Sequence, residues 1–254
     1  MQLHLVVESE NKHMTYHNQI EHNLNLMYDS LFKPEDCDKC RLCRSKVKEN
    51  QSPLSRPVTA WFVGNEFANQ KTRILFVGKN ARGFMNEQQY ENIRYHNAYN
   101  YGRELTAKGW PYWNYTGEII REVYGSRDPE LAAITNIVKC NNSESVDKTS
   151  TSMKNNCIKE LRVLNRELRI IKPTHVVFYT GWSYDSYIEY AFDEVLVCGN
   201  VAATKIIGQY DAPWREGRAI VDGQQMFFLR TCHPERKNKE DFVNAVADWV
   251  SRTS

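Results

Sequence analysis

The sequence of 254 residues contains no apolar run that approaches the ~18 residues of a membrane-spanning helix. Its net charge is small, +2 with the histidines neutral, so DNA or RNA binding would need a local basic face rather than bulk charge. Internal repeats and low-complexity segments are also lacking. The 14 tyrosines and 6 tryptophans exclude a disordered tail, because such segments are poor in aromatic residues.

The N-terminal stretch MQLHLVVESENKHMTYHNQ turns polar too early for a secretory signal, which predicts a cytoplasmic protein. In that compartment the 7 cysteines are expected as thiols or metal ligands, and an odd number argues against a complete set of disulfides. We expect a monomer that does not associate with membranes.

Helix-like and strand-like segments alternate along the chain. The patterns predict helices at 16–32, 116–125, 153–172, 182–192 and 239–252, strands at 56–64, 72–78, 132–140, 174–181 and 194–199, and a hairpin around Asp222-Gly223. Such alternation is typical of an α/β sandwich with a mainly parallel central sheet. We interpret residues 1–254 as one domain with an N-terminal helical extension (1–36) and a polar insertion (84–108).

Ligands of parallel α/β sheets bind beyond the carboxyl ends of the strands. Asn80, Gly181 and His233 each follow a predicted strand closely, whereas Asn136 is expected inside its strand. These positions are the first candidates for a functional site.

The segment CDKCRLC brings Cys37, Cys40 and Cys43 within seven residues. A closed all-sulfur site needs four thiolates, and the best distant partners are Cys140, at the end of a strand, and Cys157, near the start of the next helix. The alternative is a group of unrelated surface thiols. Zinc and iron–sulfur clusters both accept such ligands, and the spacing does not separate them.

The motifs CDKCRL, RILFVGKNARG, AITNIVKCNN, CIKELRVLNRELRIIKPTHVVFYTG and TCHPE resemble, in this order, the uracil-DNA glycosylase superfamily, and are most similar to its iron–sulfur branch (family 4). The resemblance runs from Cys37 to the C-terminus and implies a three-layer α/β/α sandwich. It also implies a 4Fe–4S cluster, structural rather than catalytic, on Cys37, Cys40, Cys140 and Cys157. Cys43 falls outside the family pattern but competes with Cys40 as a ligand; zinc is the alternative metal.

The resemblance also assigns the base pocket. Tyr112, in GWPYWNYTGEII, stands where the family has a Phe that stacks on the extruded base. Asn136 stands where an Asn reads the base edge, Gly78 belongs to the first active-site motif, and His233 matches the His of the family's H-P-S motif. The fold and these positions together imply a DNA glycosylase.

Hydrolysis of an N-glycosidic bond leaves negative charge on the departing base and an oxocarbenium-like sugar. An imidazole N–H of His233 would stabilise the leaving base, and the amide oxygen of Asn80 would orient a water. The iron–sulfur branch has a carboxylate in a G-E-x-P-G motif, whereas this chain has GKNARG, with Lys79 in place of the Glu. This departure favours an Asn-dependent mechanism, and Lys79 is the residue to test for lyase activity.

Plainer readings remain for several of these residues. Asn80 could be a turn residue and Tyr112 a packing residue, and His233 and Asn136 could be structural hydrogen-bonding groups. After His233, the segment ERKNK supplies Arg236 and Lys237 for phosphate contacts. Alternatively it is only the solvent-exposed segment that leads into the last helix.

The insertion FMNEQQYENIRYHNAYNYGRELTAK is rich in groups that bind sugars or phosphates. We expect it to enlarge the pocket for a bulky pyrimidine, such as glucosylated hydroxymethylcytosine in phage DNA, and the protein to act in antiviral defence. Alternatively it grips DNA around an ordinary uracil, or is a surface loop with no role. Two rival functions are a catalytically inactive iron–sulfur module that binds DNA or senses redox state, and a zinc-stabilised fold with a small-molecule substrate.

Overall fold

The computed structural model describes residues 16–32, 37–46, 54, 61–80, 102–104, 106–140, 149–200, 202–235 and 237–254. Its helices are α1 (Tyr16–Phe32), α2 (Asp38–Ser45), α3 (Pro111–Tyr124), α4 (Thr151–Lys154), α5 (Val163–Ile171), α6 (Asp185–Ile188) and α7 (Lys239–Thr253). Its strands are β1 (Phe62–Val63), β2 (Ile74–Gly78), β3 (Ala133–Asn136), β4 (His175–Phe178), β5 (Glu194–Cys198), β6 (Thr204–Ile207), β7 (Tyr210–Val221) and β8 (Gln224–Thr231). A π-helix, Asn155–Glu160, continues α4.

The strands form one mixed sheet of eight strands in the order β1-β3-β2-β4-β8-β7-β5, with β6 paired to β7. The central neighbours β3, β2, β4 and β8 are all parallel. The outer pairs β1–β3, β8–β7 and β7–β5 are antiparallel. The expected α/β class with parallel strands at the centre of the sheet is confirmed. The outer strands on both sides of the sheet are antiparallel to their neighbours.

Helices supply the apolar residues that cover this sheet. Along β2, Leu75 and Val77 belong to a hydrophobic cluster that includes residues of α1 and α5. Ile74 and Phe76 belong to a second cluster that includes residues of α3 and α7. Successive side chains of a strand point to opposite faces, so both faces of β2 are buried, as its unbroken apolar sequence predicts.

Two turns follow directly from local sequence. Gly125 ends α3 with φ 77°, a left-handed conformation that glycine adopts without steric cost. Asp222 (φ 52°) and Gly223 (φ 73°) join Val221 to its partner Gln224, the two-residue hairpin that this dipeptide favours.

The structure corrects several expected elements. The single helix expected over 153–172 is divided into α4, the π-helix and α5, because Arg162 adopts a left-handed φ of 48°. Residues 182–192 form short 3₁₀ and α-helical turns rather than one helix. The sequence patterns also missed β6 and the first half of β7, and Asn136 ends β3 instead of lying inside it.

None of the helices in the described ranges is long and apolar enough to cross a membrane. Helix α1, within the expected N-terminal extension, is not peripheral to the core: its buried residues Ile20, Leu24 and Tyr28 join the first hydrophobic cluster.

Candidate active site and thiol cluster

The carboxyl ends of the four parallel strands meet at one edge of the sheet. Gly78 at the end of β2 is paired with Asn136 at the end of β3. Just beyond β4, the Gly181 N–H donates a hydrogen bond to the carbonyl of Thr231, the last residue of β8, 2.9 Å away. This register brings the segments that follow the strands, including Asn80 and His233, to the edge where such sheets bind ligands.

The side chain of Asn136 lies over the α-carbon of Gly78. A methyl group placed on Gly78 would overlap the Asn136 Oδ1 and would lie 3.5 Å from the Tyr112 hydroxyl. Three of the predicted pocket residues therefore meet at one point, although α3 and the two strands are separate along the chain. Glycine permits this approach because it has no side chain.

Tyr112 lies in the first turn of α3, which begins at Pro111, a residue favoured at that position. Its ring centroid is 5.6 Å from that of His233, with the ring planes tilted by 35°, and 5.4 Å from that of Tyr179 in an edge-on contact. Because Tyr112 and His233 are already in contact, a base that stacks on Tyr112 must use its other face or separate the two rings.

The Tyr112 hydroxyl is enclosed and has no hydrogen-bond partner among the described residues. Burial raises the pKa of this phenol, so it stays neutral at physiological pH. A neutral hydroxyl beside Asn136 adds a donor and acceptor that sequence reasoning had not assigned, since Tyr112 was expected to contribute only its ring face.

The side chain of His233 is 27% exposed. The backbone N–H of Glu235 donates to its Nδ1 at 3.3 Å, and the Glu235 carboxylate lies 3.8 Å from the same atom. A neutral imidazole that accepts a hydrogen bond at Nδ1 carries its proton on Nε2. This Nε2–H can donate to an acceptor in the site.

Asn80 is buried, and neither its Nδ2 nor its Oδ1 has a hydrogen-bond partner within the described part of the chain. An unsatisfied buried amide costs about 1–3 kcal/mol, which a turn residue at the surface does not incur. The adjacent Lys79 carbonyl accepts a hydrogen bond from the Val138 N–H at 2.9 Å, so this segment continues the β2–β3 pairing. The amide of Asn80 thus has unused hydrogen-bonding capacity at the carboxyl edge of the sheet.

The thiols of Cys37, Cys40, Cys43, Cys140 and Cys157 are all buried and form no disulfide. Cys37 caps the N-terminus of α2, and its Sγ lies 2.7 Å from that of Cys40, too long for a covalent bond. Helix α2 packs on the π-helix that carries Cys157. The alternative, that Cys37, Cys40 and Cys43 are unrelated surface thiols, is wrong because all three are buried.

The pKa shifts of the thiols show that they are electrostatic neighbours. Burial, then a hydrogen bond with Cys37, raises the pKa of Cys40, and the charges of Cys157 and Cys43 raise it further. A hydrogen bond with Cys157, then burial, raises the pKa of Cys140. The same hydrogen bond lowers the pKa of Cys157, which therefore favours the thiolate that metals bind.

Cys43 has partners that the other thiols lack. Asn156 donates to its Sγ at 2.9 Å and, through the same amide nitrogen, contacts the Lys39 carbonyl at 3.1 Å. Burial raises the pKa of Cys43. The Asn156 hydrogen bond acts in the opposite direction and favours the Cys43 thiolate, so Cys43 competes with Cys40 as a ligand.

Within the described ranges, no group of three or more His, Cys, Asp or Glu side chains is already spaced to hold a metal ion. The donor set nevertheless fits sulfur ligation, because five buried thiols converge from α2 with its N-cap, the segment that follows β3, and the π-helix. Ligation would require these thiols to deprotonate and turn toward a common centre.

Sequence reasoning missed a buried charged network beside the thiols. The Lys139 Nζ lies 2.6 Å from the Glu167 Oε1, and the two side chains are 1% and 0% exposed. Glu167 also accepts hydrogen bonds from Thr135 and Tyr28. The only sequence signal is a Lys in an apolar strand segment, AITNIVKC. The network ties β3 to α5 and α1, and so fixes the segment between Asn136 and Cys140.

Of the two residues predicted to contact DNA, the structure describes Lys237. Lys237 lines an open cleft of about 450 Å³ with Gln209, Tyr210 and Asn238, and its Nζ lies 5.8 Å from the Tyr210 ring centroid. Arg236 lies outside the described residues, as do residues 84–101 and 105 of the polar insertion. Lys237 therefore faces β6–β7 residues that were not expected near the site.

Comparison with known proteins finds no family model and no curated protein that matches this sequence.

Proposed function

We propose that the protein is a monofunctional DNA glycosylase that hydrolyses the N-glycosidic bond of an extruded pyrimidine. The observation that carries this proposal is the meeting of Tyr112, Asn136 and Gly78 at the carboxyl edge of the sheet, with His233 against the Tyr112 ring. Helices on both faces of a sheet with a parallel centre support the three-layer α/β/α sandwich that the motif resemblance implies.

In the proposed reaction, Asn136 pairs with the edge of the base, since a carboxamide both donates and accepts. The bond between C1′ and the base nitrogen breaks, and its electron pair stays on the base. The Nε2–H of His233 donates to the pyrimidine O2, where the charge develops. Water adds its hydroxyl to C1′, and its proton neutralises the released base.

Asn80 is proposed to orient that water. Its amide oxygen has the capacity to accept a hydrogen bond from water, and no described residue uses it. An amide is no general base, so the rate relies on charge stabilisation and positioning more than on proton abstraction. A glycosylase of this kind forms no covalent bond to Lys79.

We propose that Cys37, Cys40, Cys140 and Cys157 hold a 4Fe–4S cluster, with zinc as the alternative metal. The cluster would supply a cross-link between α2, the segment that follows β3 and the π-helix, and no chemistry on the base. Burial of these thiols beside one another supports this role. Exclusion of water from the ligands also fits a structural rather than a reactive site.

The base is proposed to be larger than uracil, with a glucosylated hydroxymethylcytosine in phage DNA as the specific example and antiviral defence as the role. The support is the length and polarity of the segment 84–108 in the sequence. The alternative is a glycosylase that releases uracil.

The test is an assay of base release on a panel of duplexes and single strands that contain uracil, hydroxymethylcytosine or its glucosylated form, with abasic sites counted after alkali. Release of the glucosylated base, lost in Asn80→Ala and His233→Ala, would support the proposal. Efficient release of uracil alone would overturn the bulky-base assignment. DNA binding without release of any base would favour the catalytically inactive binding module.

A further inference from the structure

A row of aromatic residues follows β4, in the segment WSYDSYIEY. Trp182 is 54% exposed and Tyr190 is 41% exposed, with Tyr187 half-buried between them in sequence. A single exposed aromatic side chain is common on a protein surface, but several within one short segment offer a ligand more than one flat apolar face.

Two lysines lie over the rings of this row. The Lys154 Nζ is 4.2 Å from the centroid of Tyr184, and the Lys159 Nζ is 5.0 Å from the centroids of both Tyr187 and Tyr190. We call Trp182, Tyr184, Tyr187, Tyr190, Lys154 and Lys159 the aromatic–lysine band. Tyr184 itself is buried beneath Lys154, whereas the rings of Tyr187 and Tyr190 reach the surface beside Lys159.

Acidic side chains near the band are already paired with other cations. Asp185 forms a two-point ion pair with Arg230, at 2.7 and 2.9 Å, and Glu189 lies 2.8 Å from Arg215. Glu160 pairs with Lys39 at 3.1 Å. Lys159, by contrast, has no ion-pair partner among the described residues, so its charge is available to an anionic ligand.

The band begins at the candidate active site. The Gly181 N–H bonds to the Thr231 carbonyl, two residues before His233, and Gly181 adopts a φ of 67° as the chain turns into Trp182. The other end of the band reaches the π-helix that carries Cys157, since Lys154 and Lys159 flank that residue. A ligand on the band would therefore run from His233 past the thiol cluster.

We infer that the aromatic–lysine band binds a single-stranded segment of DNA next to the extruded nucleotide. Bases stack on Trp182 and Tyr190, and Lys154 and Lys159 contact phosphates. Aromatic faces interleaved with cations are the means by which proteins hold unpaired strands without reading their sequence. In a duplex the faces of the bases are covered by their neighbours, so rings that project from a surface fit an unpaired strand better. This inference rests on the proposed function for its biological setting but not for its test.

The test measures the binding of a fluorescein-labelled oligothymidylate of about 12 nucleotides by anisotropy. Trp182→Ala is expected to weaken binding at least about fivefold, because stacking contributes on the order of a factor of ten per base, while Trp182→Phe stays near the wild type. Tyr16→Ala, at a tyrosine that is 50% exposed on α1, is the matched control and should bind normally.

Salt dependence tests the lysines separately. Lys159→Gln is expected to reduce the slope of log K against log salt by about 0.7, the value for one phosphate contact on a single strand. Circular dichroism of each variant confirms that it is folded. Unchanged binding by Trp182→Ala, Tyr190→Ala and Lys159→Gln would overturn the inference, as would equal weakening on a blunt duplex.

The two proposals fail in different ways. Oligothymidylate binding that depends on the band, without release of any base from any DNA, would remove the glycosylase function and leave the binding surface. If base release persists while the band variants bind single strands normally, the binding surface is excluded and the glycosylase function stands.

Discussion

The side chain of Asn136 occupies the space above the α-carbon of Gly78, where any other residue would place its β-carbon. The two residues are partners in the parallel pairing of β2 and β3, so the contact is set by the register of the sheet. The hydroxyl of Tyr112, on α3, lies close to the same position. A side chain held in this way has a defined position before any ligand arrives, which suits the base-reading role proposed for Asn136.

Gly78→Ala is therefore expected to displace the Asn136 side chain. Forced overlap in a packed site costs roughly 1–3 kcal/mol, and base release should fall with it. Urea unfolding of Gly78→Ala and of the double variant Gly78→Ala with Asn136→Ala checks the cause. The added methyl group should cost less when Asn136 is already truncated, and equal costs in both backgrounds would contradict the overlap.

His233→Ala is expected to slow base release by about 10²–10³-fold, the usual effect of removing one donor from a developing anion. DNA binding should change far less, since the hydrogen bond strengthens only as the bond breaks. Single-turnover kinetics separate the two quantities. His22→Ala, at an exposed histidine of α1, is the control, and near-normal release by the His233 variant would exclude the leaving-group role.

Replacement of Cys140 or Cys157 by Ser is expected to abolish iron and acid-labile sulfide binding and the brown colour of the purified protein, because each removes one of the proposed ligands. Cys198→Ser, at a half-buried thiol remote from the set, should keep both. Cys43→Ser should also keep the iron, because Cys40 is the proposed ligand, and loss of iron from this variant would identify Cys43 as the ligand instead. A colourless protein with bound zinc would instead support the zinc site.

Lys139→Met is expected to lower the free energy of unfolding by about 3–5 kcal/mol, because it leaves the Glu167 carboxylate buried without its cation. Adding Glu167→Gln removes that charge while keeping groups that can bond to Thr135 and Tyr28, so the double variant should recover part of the loss. Urea titration followed by tryptophan fluorescence measures both. A double variant as unstable as Lys139→Met would show that the charge is not the cause.

His175 predicts a pH dependence of stability. Burial lowers its pKa to about 4 from the ordinary value of 6.5, so the folded protein resists a proton that the unfolded chain accepts. The contribution of His175 to the free energy of unfolding, about 3 kcal/mol, is fully present above pH 6.5 and is lost as the pH falls toward 4. His175→Gln should flatten this part of the profile in urea titrations between those limits. If the free energy of unfolding of His175→Gln falls with pH as steeply as that of the wild type, other groups cause the dependence.

Local sequence was enough for many elements of the fold. The apolar runs of β2 and β4, the helix α1 and the end of α3 at Gly125 formed where their patterns predicted them, although α3 begins at Pro111 rather than at 116. The hairpin at Asp222-Gly223 did so because few dipeptides suit its two left-handed positions. By contrast, β6 and the start of β7 have mixed polar sequences, and pairing with each other decided their structure.

The long helix expected over 153–172 shows the limit of periodicity. Its apolar spacing was right, since Ile158, Leu164, Leu168 and Ile171 are buried, but the chain breaks at Arg162. A one-dimensional pattern records which residues face the core and not whether the backbone between them is continuous. The π-helix that results carries Cys157 toward α2.

By itself the sequence determined which side chains are available: three clustered cysteines and two distant ones, an Asn after one strand and another within the next, a His after the last strand, and strands able to be buried on both faces. These are properties of residue type and spacing, and they can be inferred without knowing which segments pack together. Only the tertiary structure decided that Tyr112 meets Asn136 over Gly78, that His233 touches the same ring, and that Lys139 is buried against Glu167. Such contacts depend on strand order and register, which are set by the packing of the whole core and by no short segment of the chain.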